Sequence, residues 1–226
     1  MSSRSFSDPS GDAVVVRDLV KKFKIPHEKK QTIYDHVFGL VKGGSYSYEE
    51  LVALDRVSFT IAEGETFGII GPNGSGKSTL LKVLAGIMYP DGGEVTIHGK
   101  IAPFIELGVG FQPELTARNN VFLYGAIMGV KKKELRERYD EIIEFADLKK
   151  FEDTRLKHFS TGMMLRLAFS TAIQTDPDIL LVDEIITVGD EAFQKKCNDK
   201  IAQLREENKT IVYVSHYLNA LRKLTS

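Results

Sequence analysis

Gly71, Pro72, Asn73, Gly74, Ser75, Gly76, Lys77 and Ser78 set out a glycine, four free positions and then Gly-Lys-Ser. That spacing suits phosphate chemistry. The glycines let backbone N–H groups turn inward around an anion, and a helix starting at the loop adds its dipole. Lys77 is placed to reach the outer phosphates and the Ser78 hydroxyl to hold Mg²⁺, with Thr79 in the first helical turn behind them. Asp183 and Glu184 directly follow the apolar run Ile179-Leu180-Leu181-Val182. Acids at the end of a buried strand are costly without a task. Beside Mg²⁺ and a triphosphate, Asp183 can hold the metal's water shell, and Glu184 can position or deprotonate an attacking water. The plainer alternative is that the two acids cap the following segment. His216, at the end of another strand-like run, could sense the terminal phosphate, and Gln112 is a second candidate sensor.

Such groups need elements to position them. The apolar segment 65–70 reads as a strand and 79–84 as a helix, which is the context a phosphate loop requires. Short strands are expected at 13–16, 53–61, 94–97 and 100–105, with the last two joined at His98-Gly99. Residues 107–113 read as a mobile, Gly-hinged loop, and 118–148 as helical, with Leu135, Tyr139, Ile142, Ile143 and Ala146 on one face. Lys131-Lys132-Lys133 reads as a solvated helix start. Ser160 is placed to cap a helix running from Met164 to Gln174, closed by Asp176-Pro177. Four consecutive apolar residues at 179–182 fit a strand buried on both faces, and 210–214 is the last strand. The alternation of strands and helices implies an α/β fold whose phosphate site lies at the carboxyl ends of a parallel sheet.

Composition sets the outer bounds. Lys plus Arg number 30 against 31 Asp plus Glu, a formal net charge of −1, which gives no support to nucleic-acid binding through a general basic field. The one cysteine, Cys197, cannot form an internal disulfide, as befits a reducing cytosol. No apolar run is long enough to span a membrane, so action at a membrane requires docking on a partner that spans it. Residues 1–12 read as a disordered lead-in. Within 24–50, Ile33, Tyr34, Val37, Phe38, Leu40 and Val41 recur at helical spacing. That helix either packs on its own core or faces a partner or a membrane surface.

In order, these pieces resemble the nucleotide-binding subunit of an ATP-binding-cassette (ABC) transporter. The resemblance covers about residues 13–224. It rests on Gly71 to Ser78 (Walker A), Gln112 (Q-loop), Phe159-Ser160-Thr161-Gly162-Met163 with Arg166 (signature), and Asp183 with Glu184 (Walker B and catalytic glutamate). Thr187-Val188-Gly189-Asp190 (D-loop) and His216 (switch histidine) complete it. It implies a P-loop NTPase cassette with a parallel core sheet, an antiparallel β subdomain and a helical subdomain around 113–175. It implies ATP and Mg²⁺ as cofactors, with Ser78, Gln112 and Asp183 at the metal and Lys77, Glu184 and His216 as catalytic groups. Two copies would pair head to tail, so that Ser160 and Gly162 of one contact the γ-phosphate bound by the other. Phe23 occupies the aromatic position that stacks on adenine, the alternative being a core Phe.

A narrower resemblance is carried by residues 108–116, 159–169 and 188–197, which look like the polysaccharide and teichoic-acid exporter branch. That branch bears an extra N-terminal helix, here 32–41, which favours the partner-facing reading. Thr161 and Met163 depart from the commoner Gly and Gln, and Ile185 replaces a frequent Pro; the last two are usual in this branch. The family normally continues with further strands, so the C-terminal end reads as truncated. The implied function is ATP hydrolysis at the cytoplasmic face of a membrane, driving export of a lipid-linked glycan through a separate permease.

Overall fold

Val, Ile, Thr and Phe dominate the segments that become strands, as their stiff or broad side chains favour. The computed structural model describes residues 11–26, 48–104, 107–182 and 189–215. Its strands are β1 (Asp12–Pro26), β2 (Tyr48–Ala62), β3 (Thr66–Ile70), β4 (Gly92–Ile97), β5 (Ile101–Pro103), β6 (Ile179–Val182) and β7 (Thr210–Ser215). An antiparallel sheet has the order β2-β1-β4, and a parallel sheet the order β3-β7-β6-β5. The helices are α1 (Lys77–Leu84), α2 (Ala117–Ile127), α3 (Lys132–Phe145), α4 (Thr161–Ile173) and α5 (Glu191–Glu206).

Side-chain alternation in the parallel strands builds two cores at once. Ile179 and Leu181 of β6, with Val212 and Val214 of β7, face Leu80, Leu81 and Leu84 of α1 and the inner residues of β1, such as Val14 and Leu19. Leu180, Val182, Ile211 and Tyr213 point the other way, onto Phe169 and Ile173 of α4 and Phe193, Cys197 and Ile201 of α5. All four β6 residues are buried, as their unbroken apolar run predicts. Helix α1 is thereby fixed between the two sheets, with the phosphate loop at its N-terminus. A third core joins α2, α3 and α4 through Val121, Leu135, Ile142 and Leu167.

Three local expectations change. Strands β1 and β2 run to Pro26 and from Tyr48, taking both ends of the 24–50 stretch into the antiparallel sheet. Segments 94–97 and 100–105 belong to different sheets. The corner between them is held where Asp178 accepts from the Lys100 amide, and Gly99 (φ +120°) leaves Asp178 room. The helix expected over 118–148 is two helices, broken at Gly129 (φ +78°), where the Val130 amide bonds the Gly125 carbonyl. Lys131 is the exposed N-cap of α3, in keeping with a solvated helix start. The 32–41 helix lies outside the described residues.

Candidate functional site

Strand β3 ends at Ile70, and its neighbour β7 pairs Ser215 with that residue; β6 pairs Val182 with Tyr213. The carboxyl ends of three adjacent parallel strands therefore share one edge, and the phosphate loop leaves from the first of them. Asp183, Glu184 and His216, which follow β6 and β7 in sequence, lie outside the described residues, as do Thr187 and Val188.

The loop itself is set by its glycines. Gly74 and Gly76 take positive φ values of +80° and +89°, a region that favours glycine. Gly76 is constrained twice, because an added Cβ would lie 2.4 Å from the Ala53 carbonyl oxygen of β2. At Gly71 an added Cβ would lie 2.6 Å from Ser75 Oγ. Lys77 is only 7% exposed, and its Nζ donates to the Gly71 and Pro72 carbonyls, both at 2.7 Å. That places a buried ammonium across the mouth of the loop. The first turn of α1 holds no acid, and no side chain caps Gly76, so the helix's first N–H groups keep their donor capacity. Ammonium, uncapped N–H groups and positive dipole end together suit a polyphosphate. Ser78 and Gln112 are exposed and offer the hard oxygen donors that Mg²⁺ takes.

Phe23 sits half-buried in β1, opposite Leu51 of β2, two residues from the Ala53 that abuts Gly76. Phe23 therefore lies on the strand pair that backs the phosphate loop. Lys21 Nζ lies 5.7 Å from the ring centroid.

Ser160 caps α4, its Oγ accepting from the Met163 amide at 3.2 Å. The hydroxyl proton stays available to donate outward, and the residue is exposed. Gly162 has a different basis from the loop glycines. An added Cβ would meet only Ser160 Oγ, at 3.9 Å, and its φ is not positive. Among the described residues, nothing requires a glycine there.

The fold also joins motifs that stand apart in sequence. Arg166 of α4 bonds Asp190 at 2.6 Å and stacks over the Phe193 ring at 4.9 Å. Asp190 accepts from the Phe193 amide at the start of α5, and that bond, aided by Arg166, holds its carboxyl below the usual range. Gln112 is held by a residue that sequence reasoning does not single out, the fully buried Asn120. The available signal was a polar Asn four residues past the N-cap Thr116, beside the buried Val121 and in line with the buried Tyr124. Among the described residues, no group of three or more His, Cys, Asp or Glu side chains forms a metal cluster, and no helix is long and apolar enough to cross a membrane.

Comparison with known proteins is consistent with this geometry. The sequence profile of the family described as "ABC transporter" matches residues 54–187. The O-antigen export system ATP-binding protein RfbB of Klebsiella pneumoniae is 39% identical over 213 residues, covering 92% of this chain and 85% of that one. The teichoic acids export ATP-binding protein TagH of Bacillus anthracis is 41% identical over 204 residues, 90% of this chain but 36% of its own. The ABC transporter protein AbcA of Aeromonas salmonicida is 46% identical over 76% of this chain, which spans 56% of that relative. Among solved structures, the ATP-binding cassette MJ0796, in a dimeric post-hydrolysis state bound to ADP and Pi, superposes with a TM-score of 0.69. It is 27% identical, and the match covers 91% of this chain and 89% of that one. On fold, motif order and relatives together, the chain belongs to the ABC transporter family.

Proposed function

We propose that the chain is the ATP-binding and ATP-hydrolysing subunit of an exporter that moves a lipid-linked glycan through a separate membrane permease. The observation that carries this reading is the phosphate cradle, with Lys77 buried across it and α1 uncapped behind it, in a chain 39% identical to an O-antigen export ATP-binding protein. When bound, Mg²⁺-ATP supplies the phosphoanhydride bond and a metal that neutralises charge on the outer phosphates. The loop N–H groups and Lys77 would hold the phosphates, Ser78, Asp183 and Gln112 would hold the metal, and Phe23 would pack the base. Glu184 would orient and deprotonate the attacking water, and His216 would bond the terminal phosphate.

Completing the site takes a second copy. Ser160 keeps a free hydroxyl proton at an exposed helix N-terminus. Gly162 keeps an open face that no other described residue packs against. Both features fit close approach to a γ-phosphate held by a partner cassette, and the cassette MJ0796 forms dimers. The permease would seat on the apolar groove of about 330 Å³ lined by Ala85, Ile87, Val109, Tyr124, Ile127 and Met128. In that groove Val109 and Ile127 are each 59% exposed. The protein would thus be held peripherally at the cytoplasmic membrane face.

The test is Glu184→Gln. It should retain ATP binding, abolish turnover and accumulate an ATP-bound dimer; turnover equal to wild type removes Glu184 from its role. For cargo, copurification from native membranes should return a permease with retained lipid-linked glycan. Recovery as a ribosome-bound species would sink the transport reading.

A further inference from the structure

The loop that carries Gln112 packs along one face of α2. Asn120, Tyr124 and Ile127 stand at i, i+4 and i+7 of that helix, and so share a face. Each takes a successive part of the loop. Ile127 packs so close to Gly110 that an added Cβ would lie 2.5 Å from its Cδ1. Tyr124 meets the Phe111 ring edge-on at 5.2 Å. Asn120 takes Gln112 itself. Its Oδ1 accepts from the Gln112 amide at 2.7 Å, and its Nδ2 donates to the Gln112 carbonyl at 3.0 Å. The same Nδ2 donates to the Leu115 and Thr116 carbonyls at 3.2 and 3.0 Å. A side chain with no exposure thus uses both its acceptor and its donors on backbone alone.

Beyond this clamp, the chain is zipped to the segment that leads to Ser160. The Lys157 amide donates to the Pro113 carbonyl and the Leu156 amide to the Leu115 carbonyl, while Glu114 pairs with Lys157 at 3.0 Å. Gln112 is therefore the residue at which the loop passes from α2 to this zip. Its backbone is fixed on both sides, while its side chain stays exposed.

We propose that Asn120 is the positioning residue for Gln112, fixing its backbone so that the side-chain amide is already placed toward the metal and terminal phosphate. This rests on the nucleotide reading above. Fixing one residue's backbone in advance spares an ordering cost of about 1–2 kcal/mol, which corresponds to about tenfold in rate.

The experiment is a double-mutant cycle in the full chain. Asn120→Ala and Asn120→Ser are each measured with Gln112 present and with Gln112→Ala. The serine hydroxyl can bond the Thr116 carbonyl within the helix but is too short for Gln112, so this variant keeps the helix while releasing the loop. Both should lower kcat about tenfold with Gln112 present and add nothing in the Gln112→Ala background, while Mg²⁺-free ATP affinity is unchanged. By hydrogen exchange, the Gln112 amide should lose protection in both variants, with α3 amides unaffected. Equal loss of kcat in both backgrounds, or unchanged exchange at Gln112, overturns the proposal. Absence of ATP hydrolysis in the wild type would instead defeat the nucleotide reading, and the exchange measurement would still decide the clamp.

Discussion

Replacing Gly76 with alanine should destabilise the chain far more than the same change at Gly74, though both glycines sit in one loop at similar positive φ. An alanine at φ +80° or +89° carries a left-handed backbone penalty of about 1–2 kcal/mol. Its smaller unfolded-state entropy returns about 0.4–1 kcal/mol. At Gly74 no described residue lies within 4 Å of the added Cβ, so the net cost is about 1 kcal/mol. At Gly76 the Cβ would meet the Ala53 carbonyl oxygen at 2.4 Å and Leu54 Cδ2 at 3.0 Å. The oxygen belongs to strand backbone and cannot swing aside. Either β2 or the start of α1 must move, adding about 1–3 kcal/mol of overpacking cost. In a chain of this size each kcal/mol lowers Tm by about 2–4 °C, so Gly76→Ala should melt about 5–15 °C below wild type and Gly74→Ala about 2–4 °C below. Differential scanning calorimetry of the two variants measures this, with ATP titration in parallel. Nucleotide affinity should fall more in Gly76→Ala, because the displaced segment is the N-terminus of α1. If the two variants melt within about 2 °C of each other, the contact between β2 and the loop does not carry the energy assigned to it.

Phe23→Ala should weaken ATP binding by about tenfold while Phe23→Tyr does not, since base stacking on an aromatic ring contributes about 1–3 kcal/mol. Equal affinity in all three would make Phe23 a packing residue only. Gly162→Ala should leave the monomer as stable as wild type or about 0.5–1 kcal/mol more so, through better helix propensity, while suppressing ATP-dependent dimerisation; a destabilised monomer with normal dimerisation refutes that role. Burial pushes the Cys197 thiol up to about 12. An unfolded thiol titrates near about 8.5, so this group's stabilising contribution is full below that pH and is lost as pH rises from there toward the folded value. Between about pH 9 and 11, wild type should therefore lose up to about 1.4 kcal/mol per pH unit more than Cys197→Ala in urea unfolding, and equal slopes would refute the assignment.

Much of the site was legible because its information is local. A glycine, four free positions and Gly-Lys-Ser between a strand and a helix specify positive φ values, an uncapped helix start and a lysine at one address. The unbroken apolar run at β6 announced burial on two faces for the same reason, since period-two alternation fails only where both faces are covered. Ser160 likewise carried its cap in its own sequence neighbourhood.

Tertiary structure decided what depends on approach between distant segments. Gly76 is constrained by the Ala53 carbonyl as well as by its own backbone angle, and no reading of residues 71–78 could reveal an oxygen on β2. The strands around His98-Gly99 part into different sheets because partners from β1 and β6, not their own residues, complete them. Arg166 finds Asp190, and Asn120 finds Gln112, only once α4 and α2 are packed. The sequence alone determined the glycine and lysine spacing, between a strand and a helix, that suits a phosphate-binding loop. Only the packed chain determined that β2 backs that loop and that the buried Asn120 amide bonds the Gln112 backbone, because hydrogen bonds and steric contacts depend on distance in space rather than on spacing along the backbone.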